Sequence, residues 1–135
     1  MNALQNPLAL IGRILLAVLF VPAGFGKIAG FSGTVGYATA MGLPLPTVGV
    51  AIALVIELFG GLALLIGYRA RLAAIALAVF TLVASVFFHA YWAVPAEQQM
   101  VQQLLFFKNI AVVGGLLAFA AFGAGGWSLD AKRGA

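Results

Sequence analysis

Glu57 sits where a carboxylate is hardest to keep, in the middle of an apolar run long enough to cross a bilayer. A charge at the bilayer centre costs at least about 2.5–3.5 kcal/mol on insertion scales, so such a residue is either paired or functional. Gly60 and Gly61 follow at i+3 and i+4, a spacing that lets another helix or a ligand approach the same face. Other groups of this kind are Arg13 and Lys27 in the first apolar run, His89 in the third, and Lys108 with Asn109 in the fourth. Together they could hold a small lipophile by its polar head. His89, Lys108 and Asn109 would supply hydrogen-bond donors, and Glu57 would exchange protons.

Other chemistries lack their residues. The chain has no cysteine and a single histidine, which excludes a disulfide framework, a thiol relay, an Fe–S cluster and a Cys zinc site. A haem held by two histidines of this chain is excluded too. His89 has no second ligand at metal spacing, so no metal is expected. No covalent cofactor is expected either, and any redox role would need a diffusible cofactor such as a quinone, or a partner subunit. Gly24-Phe25-Gly26-Lys27 imitates part of a dinucleotide fingerprint, but no strand precedes it and it lies at a helix end.

The elements that must position these groups follow from composition. Of 135 residues, 64% are hydrophobic and 7% are charged, with a mean hydropathy of +1.16. A soluble fold could not cover its surface with so few polar groups. Four stretches reach the roughly 20 apolar residues that a bilayer-spanning helix needs, at about 8–28, 47–67, 71–92 and 103–124. The expected fold is all-α: an integral membrane four-helix bundle, antiparallel, forming a single transmembrane domain over 1–135. The first stretch is too long for a secretory signal core and lacks a basic segment before it, so it reads as a span. A turn or short helix around Phe31 to Met41 is expected before Gly42-Leu43-Pro44-Leu45-Pro46, which cannot continue a helix.

Lys and Arg near helix ends orient the bundle. Arg69, Arg71, Lys132 and Arg133 fall on one side, which predicts that both termini are cytoplasmic. The net charge of +4 suits this orientation better than nucleic-acid binding. Helical periodicity aligns Arg13, Ala17, Phe20, Gly24 and Lys27 on one face of the first span, with Pro22 loosening that helix. In the third span it aligns Thr81, Ser85, His89 and Trp92. The expected ligand-binding residues are therefore Glu57, His89, Lys108, Asn109, Lys27 and Trp92. Alternatively Glu57 pairs with Arg13 as a structural ion pair, or with Lys108, and these charges serve helix packing.

Gly12-Arg13, Phe20, Gly24 with Lys27, Tyr37, Gly42-Leu43-Pro44, Glu57 with Gly60-Gly61, Gly67 with Arg71, His89 with Trp92, Lys108-Asn109, Gly114-Gly115 and Ser128-Leu129-Asp130 follow one another in an order and spacing that resemble the DoxX family of small bacterial four-helix membrane proteins. The resemblance runs from about Gly12 to Asp130. It implies a plasma-membrane protein that handles quinone-like molecules or anchors redox partners. The family name comes from membrane subunits of quinone-linked oxidoreductases acting on sulfur compounds. Without cysteine this chain is not expected to carry sulfur chemistry alone. The leading expectation is a quinone-binding, accessory subunit of a membrane redox system, in contact with the lipid bilayer and with redox partner proteins or further copies of itself. The alternative is a structural anchor or assembly factor for partner proteins. Nucleic acid is not an expected partner.

Overall fold

A computed structural model describes residues 3–134. Its helices are α1 (Gln5–Ala29), α2 (Phe31–Ala40), α3 (Pro46–Val55), α4 (Gly61–Ile66), α5 (Ala70–Phe88), α6 (Ala96–Phe122) and α7 (Leu129–Lys132). A π-helical turn, Ile56–Gly60, joins α3 to α4, and a 3-10 turn, Tyr91–Ala93, lies between α5 and α6. Four segments are long and apolar enough to cross a membrane: α1, Pro46–Ile66, Ala70–Ala93 and α6. Most of their apolar side chains point outward, as a lipid solvent permits. Leu15, Val18, Ile52, Val79, Leu104 and Leu117 are all more than half exposed.

Helix ends follow local chemistry. Pro46 occupies the first turn of α3, where its missing N–H costs nothing. Pro95 caps α6, and Glu97 in its first turn complements the helix dipole. The fourth span therefore starts at Ala96 rather than near 103, and Gln102 lies inside it. Within the third span the α-helix α5 stops at Phe88, four residues short of the expected helix end, because His89 leaves helical geometry with φ −129°. α1 runs unbroken through Pro22.

One end of the bundle is stitched by polar side chains bonded to backbone. Arg13 is fully buried, and its guanidinium donates to the carbonyls of Leu64 at 3.2 Å, Leu65 at 2.7 Å and Trp127. The first two carbonyls lie in the last turn before the second span ends at Gly67, whose φ of +74° terminates the helix and whose N–H shares the Leu64 carbonyl with Arg13. Asp130 accepts from the N–H groups of Arg69 and Ala70 at 2.7 and 2.8 Å, and so caps α5 from the far end of the chain. Arg71 donates to the carbonyl of Ala121, near the end of α6, and Asn6 accepts from the Gly126 N–H. Tyr68 lies against Arg69 and Arg133, and hydrogen bonding to these two cations holds its phenol below the usual value.

Away from that end the spans separate into two groups. α5 packs along α6, while α3 packs on α1 and α2. α5 meets the second span at the π turn and α4. Among the described residues α3 and α5 have almost no contact, which leaves a cleft between them.

Candidate functional site

The cleft is a cavity of about 790 Å³. Its walls are apolar side chains of α1, α3, the π turn and α5, among them Leu19, Phe20, Ile52, Ile56, Phe80 and Phe87. Into it come Lys27 from α1, Thr34 and Tyr37 from α2, Glu57 from the π turn, His89 from the end of α5, and Lys108 and Asn109 from α6. Five of the six ligand-binding residues expected from sequence thus line one cavity.

Glu57 forms an ion pair with Lys27 and is 6% exposed. The sequence-level pairing of Glu57 with Arg13 is corrected by this geometry, as is pairing with Lys108. Arg13 contacts the second span at Leu64 and Leu65, seven and eight residues beyond Glu57, which is roughly 10 Å further along the helix. Lys27 reaches Glu57 because Gly24 lets α1 touch the π turn directly. A Cβ on Gly24 would lie 2.8 Å from the Leu58 Cβ and 2.9 Å from its backbone N. π turns occur mostly as single-turn interruptions, often at functional sites. Here the turn also divides the two glycines expected to share the Glu57 face. Gly60 lies against Leu77 of α5, and Gly61 against Phe20 and Val21 of α1.

The polar side of α5 is tied to α6. The Thr81 hydroxyl donates to the Leu77 carbonyl and the Ser85 hydroxyl to the Thr81 carbonyl, both at 2.7 Å. Ser85 Oγ accepts from Asn109 Nδ2 at 3.0 Å, which fixes the buried amide of Asn109. His89 Nδ1 lies 2.9 Å from Gln102 Oε1. Lys108, next to Asn109, has no hydrogen bond or ion pair among the described residues.

Trp92 is not brought into this group. α5 ends before it, so the helical line through Thr81, Ser85 and His89 does not extend to it. Its ring lies 5.2 Å from Tyr91 and 5.4 Å from Phe106, edge to face, and it is 55% exposed. Thr34 and Tyr37 were not marked as site residues in the sequence. Tyr37 stacks on Phe88 at 5.6 Å and 16°, which folds α2 over the cavity. The only signals were Tyr37 in the family pattern and the breaks that make the segment a short helix.

The DoxX family profile matches residues 8–90. Inner membrane protein YqjF of Escherichia coli is 41% identical over 133 residues, covering 96% of this chain and 95% of that protein.

The chain belongs to the DoxX family.

A second Escherichia coli relative, inner membrane protein YphA, is 34% identical over 131 residues, 97% of this chain and 94% of its own. The Surfeit locus protein 4 homolog of Drosophila melanogaster is 30% identical over 70 residues, half of this chain and 26% of that protein. No solved structure matches. The family match runs from Leu8 within α1 to Ala90 just past α5, and so includes Lys27, Glu57 and the π turn of this DoxX-family chain. Lys108, Asn109 and the Asp130 cap lie beyond it, within the stretch aligned with YqjF and YphA.

Proposed function

We propose that this protein binds a small polar-headed lipophile of the quinone type in the cleft between α3 and α5, as an accessory subunit of a membrane redox system. The observation that carries the reading is one apolar cavity on which Lys27–Glu57, His89, Lys108 and Asn109 converge. Its volume lies within the roughly 300–1,000 Å³ usual for ligand sites. Ile52, Val79 and Val83 line the cavity and are 53%, 56% and 50% exposed. The cleft therefore opens sideways toward lipid, the phase a quinone occupies.

Reduction of a quinone to a quinol takes two electrons and two protons. Glu57, paired with Lys27, is the group placed to relay protons. His89 and Asn109 are placed to hydrogen-bond the head-group oxygens. This chain carries no electron donor, so the electrons come from a redox partner protein. The protein resides in the inner membrane, as the names of its two bacterial relatives state of them. The stitched end, with Arg69, Arg71, Lys132 and Arg133 in or beside it, faces the cytoplasm and carries both termini.

The test is mass spectrometry of lipophiles extracted from purified wild type and from Glu57→Gln. A quinone enriched only in wild type supports the reading. If both hold only bulk phospholipid, the charges serve packing and the protein is an anchor or assembly factor.

A further inference from the structure

The charges around the cleft do not balance. Its formally charged lining residues are Lys27, Glu57 and Lys108. Lys27 is already on Glu57, and Lys108 has no acceptor among the described residues. Lys108 lies five residues past Gln103, the last of the polar side chains that open α6, roughly 8 Å further along the helix, and its exposed side chain borders the cleft. A cation within a spanning helix is costly unless it meets a partner or the interface, and a cavity-facing one commonly marks where a charged ligand group sits.

We propose that the ligand head bears one anionic oxygen, seated on Lys108. This rests on the reading of the cleft as a lipophile site and narrows the ligand class. Two chemistries share that feature: the enolate of a hydroxyquinone and the carboxylate of a fatty acid. Asn109 and His89 border the same space and can bond a second oxygen of either. An anion at Lys108 brings the cleft to neutrality without disturbing the Lys27–Glu57 pair.

The experiment uses the full chain in phosphatidylcholine nanodiscs, as wild type, Lys108→Met and Lys108→Arg. The probes are an alkylated hydroxynaphthoquinone, its methyl ether, palmitate and methyl palmitate. Wild type should bind at least one anionic probe about tenfold or more tighter than its neutral methyl derivative. Lys108→Arg should keep that preference and Lys108→Met should lose it. The coloured hydroxyquinone enolate, if it is the preferred probe, should persist to lower pH on wild type than on Lys108→Met. Lys108→Met should melt no lower than wild type, since no hydrogen bond or ion pair among the described residues is lost, and this separates lost recognition from lost folding. Preference for the hydroxyquinone identifies a ring enolate, and preference for palmitate a lipid carboxylate; either supports the inference. Equal binding of charged and neutral probes by wild type overturns the anionic head and leaves the lipophile site standing. Failure of every probe to bind overturns both.

Discussion

The Lys27–Glu57 pair gives the sharpest test of how this bundle holds its charges. Replacing Lys27 with Met leaves Glu57, 6% exposed, without its cation. Removing one partner of a buried pair costs about 3–5 kcal/mol. Glu57→Gln leaves Lys27, whose side chain is 22% exposed, and should cost less, about 1–3 kcal/mol. The double variant removes both charges together, so its loss should fall short of the sum by about 1–3 kcal/mol. Arg13→Met should also be severe, because three backbone carbonyls lose a charged donor. Combined with Glu57→Gln, however, it should be additive within about 0.5 kcal/mol, since the two groups share no partner. Reversible unfolding in mixed micelles by titration with sodium dodecyl sulfate, followed by far-ultraviolet circular dichroism, measures all five variants. A Lys27–Glu57 coupling below about 0.5 kcal/mol, or an Arg13–Glu57 coupling above about 1 kcal/mol, would refute this assignment of partners.

Two further substitutions probe the elements that hold the site. Gly24→Ala should cost about 1–3 kcal/mol by forcing α1 off the π turn, whereas Gly26→Ala, whose Cβ would meet nothing within 4 Å, should be neutral or stabilising by up to about 1 kcal/mol in the same unfolding assay. Asp130→Ala should cost about 1–2 kcal/mol through loss of the α5 cap, with faster hydrogen exchange at the amides of Arg69 and Ala70, and Asp130→Asn should recover part of that protection.

Much of the cleft could be read before any coordinates. A charge inside an apolar run is conspicuous, and helical periodicity put Arg13, Ala17, Phe20 and Gly24 on one face; these are the four residues that α1 buries. Partners were harder to read, because spacing within a helix carries no information about its depth against a neighbour. That depth is set here by glycines at the α1 contact, where Gly24 meets Leu58 and Gly61 meets Val21. The π turn has no sequence mark of its own, since Ile56 to Gly60 continues the same helical run. Trp92 was misplaced because the pattern did not reveal that the helix stops at Phe88. Asp130 stood in the sequence only as the end of the Ser128-Leu129-Asp130 element of the family pattern, yet it caps a helix sixty residues earlier in the chain.

Sequence by itself determined the solvent, the helical class and the four spans of this DoxX-family protein, because twenty apolar residues in a row have one stable way to satisfy their backbone in lipid. It also determined which polar groups would need an explanation. Tertiary structure alone decided that Lys27 rather than Arg13 neutralises Glu57, that α3 and α5 part to leave a cavity, and that Lys108 borders that cavity with no hydrogen-bond or ion-pair partner among the described residues. Those outcomes depend on how closely two helices approach and at what height, which the summed packing of small residues decides and no single segment encodes.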